Sequence, residues 1–81
     1  MDDFLAIFDS DLSEADKLAR SFDHITSLHI QHAEQEIELL RAMGDKDQLI
    51  KEQIKTETIK HVRNIFNDCF MRSTGKKAWN D

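Results

Sequence analysis

Five side chains in this chain have the types and spacing to do chemistry together: His29, His32, Glu36, Glu57 and His61. Residues three, four and seven apart share one face of a helix, so His29, His32 and Glu36 form one stripe, and Glu57 and His61 another. Imidazole with carboxylate suits zinc, iron or manganese, and sites for such ions are built in bundle cores from facing helices. The repeat Glu57-x-x-x-His61 departs from the Glu-x-x-His of di-iron carboxylate bundles. The reading favoured over a metal site is a structural polar layer that sets register at some cost in stability. A pH-responsive layer of His29, His32 and His61 is a third possibility, since unperturbed histidines titrate near neutrality.

These residues meet only if two helices fold back on one another, and the chain carries the signals for that. Ser13 followed by Asp16 resembles a capping box, and Ala15, Leu18, Phe22, Ile25, Leu28, Leu39 and Met43 recur at helical spacing. Gly44 stands where a left-handed residue ends a helix. Asp45, with Gln48 three residues on, can cap the next helix, in which Leu49, Ile50, Ile54, Val62, Ile65, Phe66, Cys69 and Phe70 follow. The chain has no proline, so nothing breaks either helix before Ser73-Thr74-Gly75. The expectation is an all-α fold, an antiparallel two-helix hairpin with helices over about 13–43 and 45–72. In that hairpin level residues sum to about 89, placing His32 near Glu57 and His29 near His61.

Three segments result. Residues 1–12 are an acidic and hydrophobic arm that either packs on the chain's own helices or folds onto a partner. Residues 13–72 are the hairpin domain. Residues 73–81 are a basic tail expected to be mobile, although Trp79 would gain from docking.

Eighty-one residues bury a modest core, so a lone hairpin is marginal. The apolar residues of the second helix spread over a face wider than one neighbour covers. Two hairpins packed as a dimeric four-helix bundle would cover it, through Leu18, Phe22, Ile25, Leu28, Ile54, Val62, Ile65, Phe66 and Phe70. Charge favours the folding back: residues 1–40 hold ten acids against two bases, and residues 41–81 hold nine bases against six acids, within a net charge of −5.

Other functions are disfavoured. No Gly-rich phosphate loop or nucleophile elbow is present, and Cys69 lies on the apolar stripe, which speaks against an enzyme. Lys51, Lys55, Arg63, Arg72, Lys76 and Lys77 offer a basic rim for nucleic acid, without a recognisable reading motif. Asp45 and Asp47 would project from the hairpin tip, where an acidic rod end can reach into a partner. No run approaches the roughly 18 apolar residues of a membrane span. One cysteine and no signal-like start favour a cytoplasmic location. The expected function is therefore a small non-catalytic interaction or regulatory protein without cofactor, self-associating and contacting another protein through its arm or hairpin surface. A metal-binding bundle and an oligomeric nucleic-acid-binding or transcription-regulating protein are the alternatives.

Overall fold

The structure, a computed structural model, describes residues 3–79 and consists of α1 (Asp3–Phe8), α2 (Glu14–Met43) and α3 (Lys46–Thr74). The two long helices pack against each other as an antiparallel hairpin. Among the described residues there is no strand, and no helix is long and apolar enough to cross a membrane.

The helix ends lie where the caps place them. Ser13 Oγ accepts from the Asp16 amide at 3.2 Å, filling one of the donors that a helix start leaves open. At the other end Gly44 adopts φ 75°, a conformation costly for any residue with a Cβ. Its amide donates to the Arg41 carbonyl at 3.3 Å and that of Asp45 to the Leu40 carbonyl at 3.1 Å, the paired bonds of a Schellman motif. Asp45 then caps α3 at once, its carboxylate accepting from the Gln48 amide at 3.2 Å. One residue thus closes one helix and opens the next. Helix α3 runs two residues beyond the expected end, to Thr74, before Gly75 at φ 79° stops it.

The register follows from this turn. The Phe22 and Phe66 rings stack at 4.3 Å, and Arg63 donates to Thr26 Oγ1. Both pairs agree with the expected level relation. In the same register Ala33 falls level with Thr56, and these are 4% and 3% exposed. Small side chains here let the helices approach, and Thr56 satisfies its hydroxyl on the Glu52 carbonyl at 2.8 Å. The seam is therefore narrow: Ala19, Ala33 and Leu40 on α2 and Thr56 and Phe70 on α3 are its most buried members.

One polar layer interrupts it. Arg63, with 14% of its side chain exposed, reaches across to Asp23 Oδ1 at 2.8 Å and to the Asp23 carbonyl and Ser27 Oγ, each at 3.3 Å. A charge-assisted fork of this kind is stronger than a neutral hydrogen bond and geometrically selective. It fixes the rotation of α3 against α2.

Both terminal segments dock on the hairpin. Helix α1 packs on α2, its Phe4 ring stacked on His24 at 5.7 Å and set edge-on to Phe8 at 5.2 Å. The described part of the arm packs on the chain's own helix, and residues 1 and 2 lie outside the described part. The tail differs from the mobile segment expected. Lys76 pairs with Asp16 at 2.9 Å, the Ala78 amide donates to Asn67 at 2.9 Å, and Trp79 lies parallel to Phe66 at 5.7 Å. The Arg63 guanidinium sits 4.4 Å from the Trp79 ring centre, a cation–π contact that joins the tail to the polar layer. Residues 80 and 81 of the predicted tail lie outside the described residues.

The hydrogen bond from Lys76, and then that from the Ser13 hydroxyl, hold the Asp16 carboxyl below the usual aspartate range. A folded-state pKa below the unfolded one stabilises fully above the unfolded value and is lost as pH falls through the folded value. Fluorescence of Trp79, the sole tryptophan, is expected to report loosening of the tail only once pH falls below the ordinary aspartate range. Asp16→Asn should show the loosened signal already at neutral pH, and an unchanged spectrum in that variant would remove Asp16 as the tail's anchor. Phe66→Ala is expected to cost about 2–3 kcal/mol, less than the roughly 3–5 of a fully buried ring because Phe66 is half-buried. Thermal melting within a degree or two of the parent would show that the aromatic stack does not hold the hairpin.

Candidate association face

Two residues further along a helix lie 200° round it, so Asp23 and Ile25 face opposite sides of α2. Asp16, Arg20, Asp23 and Ser27 share the side on which Arg63 and the tail are docked. Leu18, Ile25, His29, His32 and Glu36 share the other, here termed the front.

On the front the open end of the hairpin is apolar. Leu18 is 57% exposed, Ile25 42% and Val62 43%. Cys69 is exposed beside them, and Ala15, Leu18, Phe66, Cys69 and Phe70 border an open hollow of about 260 Å³. Towards the turn the face becomes polar, with His29, His32 and Glu36 across a groove from Glu52, Lys55 and Ile59. Lys55 is paired with Glu52 at 3.1 Å.

The nine residues expected to carry association divide three ways. Phe22, Phe66 and Phe70 turn into the hairpin's own seam and hold it together, because the aromatic stack lies between the helices. Leu18, Ile25 and Val62 line the front, whereas Ile65, three turns on from Ile54 and about 20° from it round the helix, lies on the outer side of α3. Leu28 lies beside Ile7 and His24 in the trough between α1 and the tail, and Ile54 lines a hollow on the outer side of α3 with Ile50 and His61.

The five candidate ligands are not brought together. His29, His32 and Glu36 share the front groove, Glu57 lies in the opposite groove with Glu34 and Lys60, and His61 lies in the outer hollow of α3. The expected levels hold, but Thr56 takes the seam, and Glu57, 100° further round, points away from α2's histidines. Among the described residues no three or more His, Cys, Asp or Glu are placed to hold a metal ion. A layer joining His29, His32 and His61 is likewise not formed within one chain.

The basic rim is largely committed. Arg63 serves the polar layer, Lys76 binds Asp16, and Arg72 pairs with Asp68 at 3.1 Å. Lys51 and Lys77 are exposed and enter no ion pair among the described residues. At the tip, Asp45 is used as a cap and Asp47 is exposed.

The functional reading of the residues missed the Asp23–Arg63 pair and the partners, Arg63 and Phe66, on which Trp79 docks. The level relation contained the signal, since Arg63 falls level with Thr26 and one turn from Asp23. No protein-family model, curated protein or solved structure matches this chain, and its functional reading rests on its own residues.

Proposed function

We propose that the chain is a small non-catalytic protein that acts through self-association, two hairpins packing front to front as a four-helix bundle. The observation that carries this reading is the exposure of Leu18, Ile25 and Val62 together on the front, while the opposite side of the hairpin is covered by the tail. Apolar side chains gathered on one face mark an interaction surface more often than the same number scattered singly.

A two-fold axis running along the hairpin keeps every level opposite its own copy. The apolar end then meets the apolar end, and the acidic α2 of one copy lies over the more basic α3 of the other. Covering a half-exposed aliphatic side chain stabilises by about 1 kcal/mol, so six from two copies contribute on the order of 6 kcal/mol. Association itself costs roughly 4–15 kcal/mol, so apolar contact alone supports a weak dimer. The hollows on the described surface are open grooves rather than enclosed clefts, which supports a binding role over a catalytic one.

Sedimentation of the full chain across micromolar to millimolar concentration tests this reading. The parent is expected to dimerise, Val62→Glu and Ile25→Glu to be monomeric with unchanged helicity, and Ile54→Glu, on the outer side, to dimerise like the parent. A parent that stays monomeric throughout overturns it.

A further inference from the structure

The front that would bury Leu18 and Ile25 against a second copy also carries His29 and His32, and both imidazoles are exposed. Among the described residues neither has a hydrogen-bond or ion-pair partner, whereas His24 is covered by Phe4. Burying a polar group without a partner costs free energy, so a front-to-front dimer must supply these rings with something to bind. The chain itself offers little: Lys55 across the groove repels a protonated imidazole, and its pairing with Glu52 occupies the nearest carboxylate on α3.

We propose that His29 and His32 of two copies together form an inter-subunit zinc site, each chain supplying half of the ligands. Spaced three apart, the two rings share one face of α2, and a level-preserving two-fold sets the same pair of the second copy at the same level, diagonally across the core of the bundle. Four imidazole nitrogens are a complete set for zinc, which takes four ligands tetrahedrally and accepts neutral histidine readily. Within one chain the set is incomplete, in keeping with the finding that no single-chain group of three or more ligands exists among the described residues. Glu36, one turn beyond His32, is placed to accept the ring N–H that the metal leaves free, the usual way a ligating histidine is oriented. The ion takes the place of the missing polar partners and adds an inter-chain bond where apolar contact gives only weak association.

This inference rests on the self-association reading, and the two can fail separately. The full chain is examined by sedimentation and native mass spectrometry, once with zinc chloride and once with EDTA. The expected result is one zinc per two chains and a dimer dissociation constant lowered about tenfold or more. His29→Ala and His32→Ala should lose the response to zinc while keeping the metal-free behaviour, and His61→Ala should respond like the parent. A dimer in EDTA that neither binds nor responds to zinc overturns the site and leaves self-association standing. One zinc on each monomer, or an unchanged response in the His29→Ala/His32→Ala double variant, also overturns it. A chain that is monomeric with and without zinc overturns both.

Discussion

The turn between α2 and α3 leaves no slack, and the rest of the molecule inherits its register from that fact. Gly44 must be left-handed to satisfy the last carbonyls of α2, and Asp45 immediately satisfies the first amides of α3. With no spare residue in the connection, the level of every α3 residue against α2 is set at the tip. The polar layer then sets what the turn cannot, the rotation of α3 about its own axis. Arg63 finds Asp23, Thr26 and Ser27 in one rotation only, and that rotation presents Phe66 to Phe22 and Thr56 to the seam.

The same layer organises the surface. Because Arg63 emerges on one side of the hairpin, its guanidinium offers a face to Trp79, and the tail settles there with Lys76 on Asp16. Helix α1 covers a further part of α2 through Phe4 on His24. Each terminal segment thus shields a different strip, while Leu18, Ile25 and Val62 stay exposed on the front and Ile50, Ile54 and Ile65 on the outer side of α3.

A seam built around Ala19, Ala33 and Thr56 packs closely but buries little apolar area per residue. A chain of this size has a small margin of stability, so burial gained on association would also count towards folding. In the proposed dimer, exposed apolar side chains and unpartnered imidazoles on one front would be covered together by a second copy.

Much of the architecture was legible in the residues alone. Ser13 with Asp16, Gly44, Asp45 with Gln48 and Gly75 act through their own backbones and near neighbours, so helix ends, turn and levels follow from local chemistry. Helical periodicity, however, offered more apolar positions on α3 than one seam can use, and it did not say which would turn inward. That choice depends on side chains far apart in the chain: the small pair Ala33 and Thr56, the Asp23–Arg63 fork, and the room that Trp79 finds above it. Glu57 accordingly left the histidine stripe it was expected to join, and the tail was drawn onto the hairpin. Local hydrogen bonding determined where the helices begin, end and reverse, whereas packing between distant residues determined which face is spent within the chain and which remains open.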